Sequence, residues 1–137
     1  MFIYKSKNLL FMPRLFTYSD FAEKSEPVRI YADKHTPVII CEPETKRNQD
    51  FIVKVRIGTV AKHPNTPIHH FVYVQLWNLE TLVGEIRLDT AALGNEPLQI
   101  EVPFTVQATV SMRLTALAYC NKHGLWKSEE YFVKVID

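Results

Sequence analysis

The residues of this chain with the most chemistry in them are its histidines and cysteines, and their spacing is uneven. Histidines fall at His35, at His63, His69 and His70, and at His123, while the only cysteines are Cys41 and Cys120. The segment Tyr119-Cys-Asn-Lys-His-Gly-Leu-Trp126 places a thiol and an imidazole three residues apart. That step lets both side chains turn toward one metal across a tight loop, and Gly124 supplies the backbone freedom such a loop often needs. A Cys-x-x-His step is common by chance, and a lone histidine is usually a surface group or a satisfied core residue. The set is more telling, because all five histidines occupy turns or strand ends. Three or four imidazoles and the Cys120 thiolate could therefore converge. If His69 and His70 open a strand running to Trp77, they point to opposite faces, and only one of them can reach a given metal.

A donor set rich in nitrogen with a single thiolate suits redox iron or copper better than structural zinc, whose closed four-ligand sites favour more sulfur. A blue-copper centre takes two histidines, a cysteine and a weak axial ligand, often methionine. Here no methionine follows Cys120, and the nearest, Met112, lies upstream within a strand. Iron fits these residues better than copper.

The elements that must position these groups read as strands. Phe51-Ile-Val-Lys-Val-Arg-Ile57 alternates, with Phe51, Val53, Val55 and Ile57 on one face and Lys54 and Arg56 on the other. Further strand-like runs are Val28–Tyr31, Pro37–Cys41, Phe71–Trp77, Leu82–Leu88, Leu98–Thr105, Ala108–Tyr119 and Tyr131–Ile136. Turn formers gather at 42–48, 63–67 and 94–97, and no helical period of adequate length follows residue 27. The expected fold is all-β: an immunoglobulin-like β-sandwich of about seven to eight strands behind an N-terminal arm.

Length and composition set the frame. A chain of 137 residues is long enough for one domain with its own core. A formal net charge of +1 with no basic stripe argues against nucleic acid as a partner. No apolar run approaches the roughly 18–20 residues that span a bilayer. Cys41 and Cys120 are far apart in sequence and nothing favours their pairing, so a reduced, soluble, cytoplasmic protein is expected. Residues 1–26 form the arm and 27–137 the sandwich domain. The arm begins with Lys5, Lys7 and Arg14 and no acid before Asp20. Such a start suits an organelle presequence, an arm packed on a partner subunit, or a true beginning at Met12.

Three segments together, Asp33-Lys-His-Thr-Pro37, His63-Pro-Asn-Thr-Pro-Ile-His-His70 and Tyr119–Trp126, resemble superoxide reductase of the one-iron, neelaredoxin type. The resemblance runs from about residue 33 to the end of the chain. It implies an immunoglobulin-like sandwich whose mononuclear iron, cycling between ferrous and ferric, is held by His35, His63, His69 and His123 and by the Cys120 thiolate. His70 matches a second histidine that does not ligate. Related two-iron proteins add a module needing four cysteines, which a chain with only Cys41 to spare cannot build; Cys41 is expected to be a buried thiol at a strand end. The implied activity is one-electron reduction of superoxide to hydrogen peroxide without oxygen release. The implied partners are superoxide and an external electron donor such as rubredoxin, in a homo-oligomer, tetramer or dimer. Backbone N–H groups of the 121–124 loop are expected to hydrogen-bond the Cys120 sulfur and tune the metal.

Lys34 matches a lysine that attracts the anionic substrate. Asp33 stands where many members carry a glutamate that caps the open iron position, and is one methylene too short to be expected to reach it. Lys122 replaces a usual aliphatic residue, and the 94–97 connection looks shorter than in many one-iron members. The competing classes are an immunoglobulin-like binding module whose histidines hold no metal, and a copper electron-transfer protein.

Overall fold

A computed structural model describes residues 32–59, 61–89 and 94–137. The expected arm at 1–26 and the strand expected at Val28–Tyr31 lie outside the described residues. Nine strands are present among them: β1 (Pro37–Ile40), β2 (Glu44–Lys46), β3 (Phe51–Ile57), β4 (Phe71–Asn78), β5 (Thr81–Arg87), β6 (Glu101–Val106), β7 (Met112–Cys120), β8 (Gly124–Lys127) and β9 (Tyr131–Ile136). They form a three-stranded sheet in the order β1-β3-β6 and a six-stranded sheet in the order β2-β9-β7-β4-β5, with β8 also on β7. The fold is the all-β sandwich expected from the alternation.

Alternation decides which side chains enter the core. In β3, Val53, Val55 and Ile57 are buried, whereas Ile52 and Lys54 are exposed. In β7 the buried set is Met112, Leu114, Ala116, Ala118 and Cys120, so the thiol is the last inward position of the longest strand. The inward faces of β3, β4, β6, β7 and β9 meet in one hydrophobic cluster. Near the end of β4 that abuts Cys120, the pairing with β7 shifts register between Phe71 and Tyr73. This irregularity puts Phe71 and Val74 both inward, which strict alternation forbids.

Two strands were not foreseen. Residues 42–48 read as a turn, yet β2 lies inside them and pairs in parallel with β9, with Thr45 buried. That pairing is long-range and leaves no local pattern. β8 follows directly on the Cys120–His123 turn and pairs with the second half of β7, while β9 pairs with the first half of β7. The run expected from Ala108 becomes a strand only at Met112, and the run from Leu98 only at Glu101. A single helical turn at 32–35 is the departure from an all-strand reading of the described residues, none of which form a helix long and apolar enough to cross a membrane.

Candidate metal centre

Three chain segments bring the donors together. The first is the helical turn at 32–35, closed by the Thr36 backbone N–H (2.9 Å) and hydroxyl (2.6 Å), both donating to Ala32 O. Gly58 at the end of β3 lashes this turn down: its N–H donates to Thr36 O at 2.8 Å, and the Thr59 N–H donates to Asp33 O at 2.8 Å. Gly58 has φ +86°, and a Cβ there would lie 2.9 Å from Ala61 O and 3.0 Å from Asp33 O. Only glycine meets both demands without strain. His35 at the end of the turn is buried.

The second segment is the loop after β3. His63 exchanges backbone hydrogen bonds with Leu98 at 3.1 and 2.9 Å, and buried Asn65 donates its amide to Gly94 O at 3.1 Å. Residues 66–69 then close a tight turn in which Thr66 and His69 donate their N–H groups to each other's carbonyls. His69 faces the other donors. His70 turns away, and its Nδ1 lies 2.9 Å from Thr66 O. Alternation along a strand allows only one of the pair to face the metal, the resemblance named His69, and the closed 66–69 turn is what puts that ring among the donors.

The third segment is the β7–β8 turn. Gly124 pairs with Cys120 and has φ +84°, so the chain reverses within reach of the thiol. Trp126, the largest fully buried side chain, stacks on the His35 ring at 4.8 Å between centroids and 18° between planes. Its indole N–H donates to His123 O at 3.2 Å, so one aromatic residue orients two of the imidazoles.

The result is five donors, from His35, His63, His69, Cys120 and His123, with ligand atoms all within 4.8 Å of one another. His63 Nε2 lies 3.1 Å from His35 Nε2 and 3.5 Å from Cys120 Sγ. His123 Nδ1 lies 3.2 Å from His35 Nε2 and 3.9 Å from the sulfur. The Nδ1 of His63 meets Pro64 O at 2.6 Å, so it carries the ring proton and leaves Nε2 as a lone pair facing inward. The buried Nε2 of His69 has no hydrogen-bond partner. Lone pairs crowded around one point, with a buried acceptor unsatisfied, are what a cation relieves.

Electrostatics favours the same species. Burial, then the neighbouring imidazole His35, pushes the His63 pKa down to about 3, against the opposing pull of Pro64 O. Burial lowers that of His69, followed by His123, Lys122, His70 and Lys34 nearby. The imidazoles of His63 and His69 are therefore neutral at neutral pH, as ligands must be. Burial raises the Cys120 thiol, while the backbone N–H groups of Lys122 and His123 oppose it; the His123 N–H donates to Sγ at 3.4 Å. A metal would displace the thiol proton, and those N–H groups would then stabilise the thiolate. The donor set fits a single redox iron.

Around the donors, Asp33 and Lys34 are half-buried on the helical turn. Lys34 and the exposed Lys122 both act on His69, which puts positive charge on that side of the centre. Cys41 is half-buried rather than buried, because it lies just past β1 where the chain leaves the sheet, and its thiol donates to Glu42 O at 3.2 Å. Both cysteines are free thiols. Gly58 and the side chains of Asn121 and Trp126 had no role assigned from the sequence. The indole, with an apolar body and a polar tip three residues past His123, was the one available signal.

Comparison with known proteins agrees with this geometry. Residues 28–129 match the desulfoferrodoxin family model. A superoxide reductase of Thermococcus kodakarensis is 35% identical over 105 residues, covering 71% of this chain and 85% of its own length. The neelaredoxin of Megalodesulfovibrio gigas is 29% identical over 111 residues, covering 72% and 85%. The solved superoxide reductase (neelaredoxin) of Ignicoccus hospitalis is 29% identical, with a TM-score of 0.64 over 86% of this chain and 93% of that one. With the family model spanning most of its length and a five-donor centre at the end of its sandwich, the chain belongs to the desulfoferrodoxin family of one-iron superoxide reductases.

Proposed function

We propose that His35, His63, His69, His123 and Cys120 hold one iron ion, and that the chain reduces superoxide to hydrogen peroxide without releasing oxygen. The observation that carries this reading is the convergence of four imidazoles and one thiol within 4.8 Å in a chain of this family. Iron bound there supplies the one-electron chemistry: an electron from an external reductant such as rubredoxin, with two protons, converts superoxide to hydrogen peroxide. The same reading takes residues 27–137 as one catalytic domain, cytoplasmic and assembled as a dimer or tetramer.

The chain's own groups set the conditions for that chemistry. Pro64 O holds His63 in the tautomer that presents Nε2. The N–H groups of Lys122 and His123 withdraw charge from the sulfur and so tune how readily the centre gives up an electron. Lys34 and Lys122 draw a small anion toward the half-buried His69 edge, where solvent can deliver protons.

The test is stoichiometric. The iron-loaded chain with excess reductant should yield one hydrogen peroxide per superoxide consumed and no oxygen. Dismutation would yield half as much peroxide together with oxygen, and would overturn the reading. The two residues expected at the opening should separate in pulse radiolysis at several salt concentrations. Lys34→Ala is expected to slow the bimolecular step by a factor of roughly 2–10 and to flatten its salt dependence. Asp33→Ala should leave the rate and the resting ferric spectrum nearly unchanged, since its carboxylate is one methylene shorter than the glutamate that caps the open position in many members. A large loss on Asp33→Ala would give that carboxylate a place at the metal.

A further inference from the structure

We infer that Asn121 is a positioning residue that couples the thiolate loop to the loop carrying His69; this rests on the iron-centre reading above. The backbone polar groups of the two peptide units around His69 are all accounted for. The His69 N–H and C=O are both used inside the 66–69 turn, bonding Thr66 O at 3.0 Å and the Thr66 N–H at 2.9 Å. That fixes the shape of the turn but not its place relative to Cys120. The groups on either side of His69 do that. The Ile68 carbonyl accepts from Asn121 Nδ2 at 3.2 Å, and the His70 N–H donates to Asn121 Oδ1 at 2.8 Å. The backbone N–H of Asn121 donates to His70 O at 3.0 Å. One carboxamide therefore grips the chain on both sides of the His69 Cα, from a residue adjacent to Cys120.

The grip matters because the His69 ring is held differently from that of His63. The His63 ring is tethered through Nδ1 to Pro64 O, and His35 lies against Trp126. The His69 Nε2 has no hydrogen-bond partner, and Ile68 beside it is 81% exposed. Packing does little to hold this turn, so hydrogen bonds must. A carboxamide carries a donor and an acceptor side by side, so asparagine can bond Ile68 O and the His70 N–H together.

The experiment uses the full chain as wild type, Asn121→Ala, Asn121→Asp, His69→Ala and the double variant Asn121→Ala/His69→Ala. Iron affinity is read by chelator competition, and the visible band of the oxidised protein is recorded beside it. Asn121→Ala is expected to weaken iron binding by roughly 10–100-fold and to shift the band. Asn121→Asp keeps an acceptor for the His70 N–H but loses the donor to Ile68, and should fall between. In the His69→Ala background the Asn121→Ala change should cost less than about twofold, because the grip then has no ligand to place. Wild-type affinity in Asn121→Ala, or an equal loss with and without His69, would overturn the proposal. If Asn121→Ala does not fold, the same cycle is run with Asn121→Asp. Wild-type chain that takes up no iron would remove the reading beneath the clamp, whereas intact wild-type binding with a failed cycle would remove the clamp alone.

Discussion

Replacing Cys120 by serine is expected to remove the visible thiolate-to-ferric band and to cut superoxide reduction by about 100-fold or more. The sulfur would be the one soft, strongly donating ligand among four imidazoles, and it sits fully buried at the inward end of β7. A serine hydroxyl stays protonated where a metal would ionise the thiol, so it cannot push charge onto the iron. The N–H groups of Lys122 and His123 would then face a weaker acceptor. Less donation makes the ferric state less favourable, and the reduction potential should rise. The fold should survive, since serine is smaller than cysteine and β7 keeps its pairings with β4, β8 and β9. Absorption spectra and a redox titration of iron-loaded Cys120→Ser check this. An unchanged band and potential would show that the sulfur is not a ligand.

The second large effect is expected at a residue that carries no metal donor of its own. Gly58→Ala forces a side chain into left-handed backbone, at a cost of about 1–2 kcal/mol. The new Cβ would also meet two backbone carbonyls at 2.9 and 3.0 Å, neither of which is a flexible side-chain end. Overpacking of this kind adds roughly 1–3 kcal/mol. One of those carbonyls belongs to Asp33 in the turn that ends at His35, so relief of the clash must move a donor. Thermal unfolding should fall by roughly 10 °C, with iron affinity falling alongside. A drop of only a degree or two with unchanged iron binding would mean that the turn yields freely and that Gly58 does not set the place of His35.

Much of the scaffold was legible because its strands follow period two. The alternation of β3 named its buried face outright. The inward stripe of β7 ends on Cys120, so the thiol was already on the core side of a strand. What could not be read were contacts that depend on distant pairing. β2 has three residues and owes its strand conformation to β9, some 90 positions away, so locally it looked like the turn it interrupts. β8 was hidden because Gly124 and the residues before it carry the stronger signal of a metal loop. Asn121 reads in sequence as one more turn-forming polar residue; its role exists only once residues 68–70 arrive beside it. The choice of His69 over His70 came from the family resemblance, and its physical cause is a turn closed by backbone bonds that Thr66 and His69 make with each other.

The donors are also divided between the two layers of the sandwich. His35 leads into β1 and His63 pairs with Leu98 ahead of β6, on the three-stranded side; His69 leads into β4, and Cys120 and His123 bracket the β7–β8 turn, on the six-stranded side. An ion shared by them is a rivet through one end of the two layers. While it is in place the layers are held together there, and parting them would loosen its hold on both sets of donors. Breathing of that end of the molecule should then speed exchange of the ion beyond what the lability of any single bond to the metal allows. Agents that loosen the sandwich at this end and agents that strip the ion should act as one, each making the other's work easier.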